Sequence, residues 1–345
     1  MMRIGFSIYL GTDEGKNEDV IQKAIGAKMK YAFTSLHIPE EKVSDYRDRI
    51  EGLLLKCNAV GIKLIADISP HTLEKLDCID YDALLDLGFD YIRPDFGYTD
   101  LEIVELSQKF HLVFNASTMS MDHVREWERL GADLTRFIAC HNFYPKPLSG
   151  LSFKKVRDMN LQFKSLGMTT MSFVAGNLDC RAPLFLGLPT VEKQRGGDVL
   201  LNILELLDDG ASDVVLIGDV DVTDDVWERI REYHEGYISL SCEIRGGYEF
   251  VREVVHHDRP DSSDYVIRSQ ESRFYNRKIL KDEVLDRPVG SVFISNEAYL
   301  RYEGELEIAR VDLGKDERVN VIGEVAHEDR KYLPYIKEGM GFKLI

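Results

Sequence analysis

The 345-residue sequence predicts a (β/α)8 TIM barrel, of the α/β class, followed by a smaller, mainly β domain. A short apolar strand, a polar loop and an amphipathic helix alternate eight times in about the first 236 residues, which is the length of a typical barrel. Several strands are almost continuously apolar, as strands covered on both faces should be. The first strand is followed by an acidic turn, whereas a doubly wound sheet carries a Gly-rich phosphate turn at this point.

The eight strands of the predicted barrel leave room for a helix between neighbours. The helix over 45–60 is representative, because Tyr46, Ile50, Leu53 and Cys57 recur at steps of three and four, and Gly61 ends it. Helices over 121–130 and 226–233 each place a tryptophan on the apolar side. The strands are predicted from apolar patterning at 3–10, 31–38, 62–69, 91–96, 111–116, 134–141, 169–175 and 213–219.

The alternation of strand and helix stops after Gly236. Strands separated by turns follow, at 237–245, 264–269, 290–295, 306–311 and 319–325, with short helical stretches at 296–302 and 330–336. We therefore divide the chain into a barrel domain, residues 1–236, and a small β-barrel domain, residues 237–345.

The charge of the chain excludes several classes of function. The chain has 60 Asp and Glu and 43 Lys and Arg, so its formal net charge is −17. A nucleic-acid partner is therefore not expected. The sequence has no apolar run of 18 residues and no signal-peptide cleavage site, which argues against a membrane segment. Five cysteines without a C-x-x-C pair indicate reduced thiols in a cytoplasmic protein. Metal-ligand spacings are also missing, so we expect neither a metal nor another cofactor.

Polar residues follow the barrel strands, where the reactive groups of such barrels lie. Asp67 ends the third strand, and Arg93 and Asp95 end the fourth, with Arg93 one layer below Asp95 if Asp95 faces the mouth. Asn115 ends the fifth strand, and Asp219 ends the eighth. The sixth is followed by a polar and aromatic run that contains His141, Asn142 and Tyr144. Simpler interpretations remain open: His37 as a loop histidine, Asp219 as a helix cap, and a buried ion pair of Arg93 with Asp67 or Asp95.

The loop after the seventh strand, residues 176–195, is much longer than the usual two to six residues or so, which is typical of functional loops. It carries Arg181, Lys193 and Arg195, the local cations that an acidic protein needs for an anionic ligand. A surface loop with solvated charges is the alternative interpretation.

The candidate catalytic groups of the predicted barrel are carboxylates. Two carboxylates flanking a cleft suit cleavage of a glycosidic bond, one as proton donor and the other as nucleophile or base. Asp95 and Asp67 are the expected pair, and Asp219 and Glu192 are the rivals. A sugar-phosphate isomerase or epimerase and a non-catalytic phosphosugar-binding scaffold remain as alternatives. A carboxylate pair about 5–9 Å apart in the mouth favours the glycosidase.

Five segments, 4–9, 92–97, 141–145, 181–184 and 187–192, resemble the 6-phospho-N-acetylmuramidases, a family of MupG-like bacterial proteins. The resemblance spans essentially the whole chain. It implies a cytoplasmic enzyme of peptidoglycan recycling that hydrolyses MurNAc 6-phosphate–GlcNAc to MurNAc 6-phosphate and GlcNAc. It also implies a cyclophilin-like C-terminal domain, for which we expect no prolyl isomerase activity.

The substrate that the resemblance implies carries a phosphate and a lactyl carboxylate. Arg181 and Arg195 are then expected to bind the phosphate, and Arg93 offers a further cation. Asn115, His141 and Asn142 are expected to position sugar hydroxyls, with Tyr144 beside them. The expected partner is thus a small phosphorylated disaccharide, with neither nucleic acid nor membrane, and self-association into a homo-oligomer is left open.

Overall fold

A computed structural model describes residues 3–36 and 45–345 of the chain. Eight parallel strands, β1 to β8, pair in sequence order, and β8 pairs back with β1, so the barrel is closed and the predicted fold is confirmed. The strands are β1 Ile4–Ser7, β2 Tyr31–Ser35, β3 Lys63–Ile68, β4 Tyr91–Pro94, β5 His111–Asn115, β6 Phe137–Cys140, β7 Thr169–Val174 and β8 Val214–Ile217.

Helices follow the strands, and several begin at a side-chain cap. Thr99 and Glu102 form a capping box in which each side chain accepts the backbone N–H of the other. The α-helices are α1 Glu14–Gly26, α2 Tyr46–Ala59, α3 Thr72–Lys75, α4 Tyr81–Asp86, α5 Asp100–Lys109, α6 Met121–Arg129, α7 Phe153–Ser165, α8 Val199–Asp208 and α9 Asp224–Glu235.

The barrel strands separate two apolar layers. Inward-facing side chains fill the barrel, and the rings of Phe33 and Phe143 both meet Phe173 edge to face with centroids 5.2 Å apart. Outward-facing side chains pack beneath the helices, where Trp127 stacks on Phe137 at 5.4 Å. Because side chains alternate between the two faces of a strand, each position is assigned to the barrel interior or to the helix layer.

Several predicted strands are longer than the observed ones; the predicted strand 3–10, for example, is observed as Ile4–Ser7. The segment 134–141 opens with a 3-10 turn, Leu134–Arg136, because Asp133 Oδ1 accepts the backbone N–H of Thr135 at 3.0 Å, and β6 begins only at Phe137. The end of the predicted second strand, with His37, lies outside the described residues.

The chain divides into two compact units, one reaching to Ile230 and the other beginning at Arg231. The second unit is mainly β, as predicted. A five-stranded antiparallel sheet has the order β10-β15-β13-β14-β12, and a three-stranded sheet has the order β11-β16-β9. Its strands are β9 Tyr237–Leu240, β10 Cys242–Ile244, β11 His256–His257, β12 Val266–Arg268, β13 Ser291–Ser295, β14 Leu306–Ala309, β15 Val319–Val325 and β16 Gly341–Leu344.

The two stretches of this unit that were predicted as helical form 3-10 helices, Glu297–Tyr302 and Arg330–Tyr335. Across residues 3–36 and 45–345, no helix is long and apolar enough to cross a membrane. All five cysteines of the chain are free thiols.

Candidate active site

Polar side chains from neighbouring strands meet at the C-terminal mouth of the barrel. Asp67 on β3 lies in register with Arg93 on β4, and Asn115 ends β5. Asn142 follows β6 directly. The structure therefore brings together four residues that the sequence placed at separate strand ends, and Asp95 extends the cluster toward solvent.

Arg93 is the centre of this cluster. Its Nη1 donates to Asp67 Oδ1 at 2.8 Å and lies 3.8 Å from Asp95 Oδ1, while its Nη2 donates to Asn142 Oδ1. The residue is only 3% exposed. The expectation that Arg93 offers a cation to the substrate is therefore corrected, because its guanidinium is buried and is bound by groups of the protein itself.

The two carboxylates of this cluster are close to each other. The Oδ1 atoms of Asp67 and Asp95 lie 2.8 and 3.8 Å from the same nitrogen, so they are no farther apart than the sum of these distances, about 6.6 Å. The side chain of Asp67 is 10% exposed and that of Asp95 is 30% exposed. One carboxylate is thus fixed by the arginine below the mouth, and the other lies at its surface.

Two amide side chains beside the carboxylates keep donors for a ligand. Asn115 Oδ1 accepts the backbone N–H of Ser117 at 3.1 Å, and Asn142 Oδ1 accepts from Arg93. Among the residues that the structure describes, neither side-chain amide nitrogen has a hydrogen-bond acceptor. Tyr144 is partly exposed, while its backbone N–H and C=O are bound by Pro189 and Arg195.

His141 points away from the mouth, which corrects the expectation that it positions a sugar hydroxyl. It is 0% exposed, and its Nε2 lies 3.1 Å from Asn160 Oδ1 on α7. Asn160 Nδ2 donates to the carbonyl of Gly210, so the Asn160 oxygen must accept from His141 Nε2–H. His141 Nδ1 then accepts from Ser117 at 3.2 Å. Burial lowers the pKa of His141 to about 4, which keeps the ring neutral.

Asp219, a rival catalytic carboxylate, is bound to the loop after β7. Its Oδ1 accepts the backbone N–H of Arg181 at 2.9 Å, and its Oδ2 accepts those of Gly176 and Leu188 at 2.8 and 3.0 Å. Burial raises the pKa of Asp219, and the three N–H donors oppose that rise. Because both oxygens are occupied and the residue is 1% exposed, we correct its expected catalytic role.

Glu192 and Arg195 bind each other and the loops around them. Arg195 Nε and Nη2 donate to the two oxygens of Glu192 at 2.7 and 2.8 Å. The remaining donors of Arg195 bind the carbonyls of Gly187 and Tyr144, and Glu192 also accepts the N–H of Gly150. The hydrogen bonds from Arg195 lower the pKa of Glu192 to about 2. Neither the predicted phosphate contact of Arg195 nor a catalytic role for Glu192 fits this geometry, because each side chain is bound by the other.

Arg181 differs from the other predicted cations. Its guanidinium lies over the ring of Tyr9, 4.3 Å from the centroid, and 5.8 Å from that of Phe143. In residues 3–36 and 45–345 no carboxylate lies within 4 Å of its nitrogens. Phe143 directly follows Asn142, whose Oδ1 accepts from Arg93, so one strand end contributes to both the carboxylate cluster and the support of Arg181. A cation held on aromatic rings without a carboxylate partner is suited to an anionic ligand.

Within the described ranges, no group of three His, Cys, Asp or Glu side chains is arranged to hold a metal ion. The polar groups that the structure places at the mouth are carboxylates, amides and the guanidinium groups of Arg93 and Arg181.

Two family models cover nearly the whole chain. The model of the N-terminal part of the 6-phospho-N-acetylmuramidases matches residues 4–232, and the model of the C-terminal part matches residues 240–345. The chain belongs to the 6-phospho-N-acetylmuramidase family. No curated protein matches it.

Two solved structures share the fold of this 6-phospho-N-acetylmuramidase family member over nearly its whole length. A conserved protein of unknown function from Enterococcus faecalis is 33% identical, with a TM-score of 0.82 over 99% of this chain and 96% of its own. An uncharacterized B. cereus protein is 22% identical, with a TM-score of 0.76 over 100% of both chains, and shows the same fold.

The aromatic support for Arg181 is the part of the site that the sequence did not predict. Tyr9 follows β1 at an inward-facing position, and Phe143 follows Asn142. Alternation along the strands could have placed both rings at the mouth, but the sequence does not tell which cation would lie on them.

His141 makes the stability of the protein depend on pH. Its pKa is about 4 in the folded chain and about 6.5 when unfolded, so the unfolded chain binds more protons between these values. Stability should therefore fall as the pH falls from 6.5 to 4, by up to about 3 kcal/mol from this group. We expect the His141→Gln variant, compared with wild type by urea unfolding at pH 7 and pH 5, to lose this component. An identical pH dependence in both proteins would contradict the assignment.

Proposed function

We propose that the chain is a glycoside hydrolase that cleaves MurNAc 6-phosphate–GlcNAc into MurNAc 6-phosphate and GlcNAc. The observation that carries this proposal is the pair of carboxylates, Asp67 and Asp95, within about 6.6 Å at the mouth of a barrel of this family. Family membership supports the substrate. Such an enzyme would act in the cytoplasm in peptidoglycan recycling, where free thiols like those of this chain persist.

The environments of the two carboxylates suggest different roles. Asp67 is buried and hydrogen-bonded to Arg93, which stabilises its negative charge, so it is the candidate nucleophile. Asp95 is more exposed and is the candidate proton donor. A bound sugar would cover Asp95 and remove water from it, which favours the protonated form that a general acid needs.

The reaction that this assignment gives has two steps. First, Asp95 donates a proton to the glycosidic oxygen, the bond from that oxygen to the anomeric carbon breaks, and Asp67 bonds to the anomeric carbon. Second, water attacks the anomeric carbon and gives a proton to Asp95, and the bond to Asp67 breaks.

Arg181 is the residue that we assign to the 6-phosphate. A guanidinium suits a phosphate because its N–H groups match two oxygens at once. The amide groups of Asn115 and Asn142 are left for the hydroxyls or the lactyl carboxylate of the sugar. Arg195 and Arg93 have no part in this assignment, because groups of the protein bind all three nitrogens of the Arg195 guanidinium and both Nη atoms of the buried Arg93.

The Asp95→Asn variant tests the proposed reaction. An amide of the same size cannot donate the proton, so kcat for release of GlcNAc from the phosphorylated disaccharide should fall about 100-fold or more. Asp122→Asn, a change at an exposed carboxylate on α6, is the control and should leave kcat unchanged. If the Asp95→Asn variant turned over within a few-fold of wild type, Asp95 would not be the acid.

The separation of the carboxylates predicts the stereochemistry. Retaining glycosidases have carboxyl groups roughly 5–5.5 Å apart and inverting ones roughly 6.5–9.5 Å apart, so an upper limit of about 6.6 Å between two oxygens favours retention. We expect early ¹H NMR spectra of the reaction to show MurNAc 6-phosphate in the anomeric configuration that it has in the disaccharide. First appearance of the opposite anomer would rule out this pair as nucleophile and acid.

A further inference from the structure

The structure assigns Asp219 a positioning role: it holds the backbone of Arg181 so that the guanidinium lies over Tyr9 and faces the anionic group of the ligand. This inference rests on the proposed function, in which Arg181 binds the phosphate. It replaces a catalytic role for Asp219 with one exerted through another residue.

The hydrogen bonds of Asp219 join three points of the loop after β7. Gly176 lies at the start of the loop, Arg181 five residues later, and Leu188 where the chain returns to the barrel. Between Arg181 and Leu188 the chain is exposed at 182–186. The Asp219 carboxylate therefore fixes both ends of the exposed segment 182–186. The backbone N–H of Arg181 is one of the three groups that donate to it.

The loop approaches Asp219 as closely as glycine allows. A Cβ added to Gly176 would lie 2.9 Å from Asp219 Cβ. One added to Gly187 would lie 2.8 Å from the Cβ of Ala175, and Gly187 has a φ of +82°, which favours glycine. These contacts indicate that the path of the loop is built around the carboxylate.

The charge of Asp219 also acts on Arg181. The two side chains attract each other electrostatically, which favours a guanidinium on this side of the mouth. No carboxylate in the described ranges lies within 4 Å of the guanidinium nitrogens, so no acidic side chain of these residues competes with an oxyanion for the arginine. The ring of Tyr9 supports it from below, and the Tyr9 hydroxyl donates to the carbonyl of Gly218, next to Asp219.

Asp219→Asn is the variant that tests this role. An asparagine has one acceptor oxygen in place of two, so at least one of the N–H groups of Gly176, Arg181 and Leu188 loses its acceptor and the loop shifts. We expect KM for the phosphorylated disaccharide to rise about tenfold, with kcat within a few-fold of wild type. Arg181→Met should raise KM to a similar value. The double variant should raise KM little further, because both changes remove the same interaction between Arg181 and the phosphate.

Asp221→Asn is the matched control. Asp221 is a buried carboxylate two residues away that binds Lys16 and Trp227, so its loss tests whether any buried change near the end of β8 raises KM. We expect KM to stay unchanged in this variant. A loss of kcat in Asp219→Asn with KM unchanged would overturn the inference in favour of a catalytic Asp219, and an unchanged KM and kcat would overturn it outright.

Two further measurements keep the test decisive. If Asp219→Asn does not fold, as judged by circular dichroism, Gly187→Ala moves the loop while keeping the carboxylate, and its KM must rise if the inference holds. If wild type does not hydrolyse the disaccharide, the proposed function fails. Binding of MurNAc 6-phosphate by calorimetry then decides the positioning role, which requires weaker binding in Asp219→Asn than in wild type or Asp221→Asn.

Discussion

The buried ion pair between Arg93 and Asp67 is the interaction on which the barrel mouth depends. Breaking such a pair by removing one partner typically costs about 3–5 kcal/mol, because the remaining charge is buried without compensation. The same guanidinium also binds Asn142 and approaches Asp95, so β3, β4 and the end of β6 are joined through one side chain. The spacing of the carboxylates and the position of Asn142 both follow from it.

The excess of acidic residues has a structural use at this end of the barrel. Asp219 accepts backbone N–H groups of the loop after β7, and Asp221 accepts the N–H of Val222 and binds the ammonium of Lys16 at 2.7 Å. Glu192 is paired with Arg195. Groups of the protein therefore bind these carboxylates, which weakens their repulsion of an anion. Arg181 is held on aromatic rings at the mouth, so in a chain with a net charge of −17 the proposed anionic ligand would meet a local cation.

Much of the fold and half of the site follow from the sequence, since strand periodicity predicts the barrel and the barrel places Asp67, Arg93 and Asn115 at its mouth. Alternation along the strand could also have corrected the prediction for His141. Cys140 faces the barrel interior, so the next residue faces the helices. The roles of Arg195, Glu192 and Asp219 could not be predicted. These roles depend on which backbone groups come within hydrogen-bond distance in the folded chain. Glu192, for example, accepts the N–H of Gly150, which is 42 residues away.

The preference of the wild-type protein for a phosphorylated substrate tests the account most directly. The measurement is kcat/KM for MurNAc–GlcNAc with and without the 6-phosphate under the same conditions. Charged hydrogen bonds contribute about 1.5–3 kcal/mol, so the phosphorylated disaccharide should be cleaved at least about tenfold more efficiently. Equal efficiency for both substrates, or cleavage of neither, would contradict a phosphosugar glycosidase with Arg181 at its anion site.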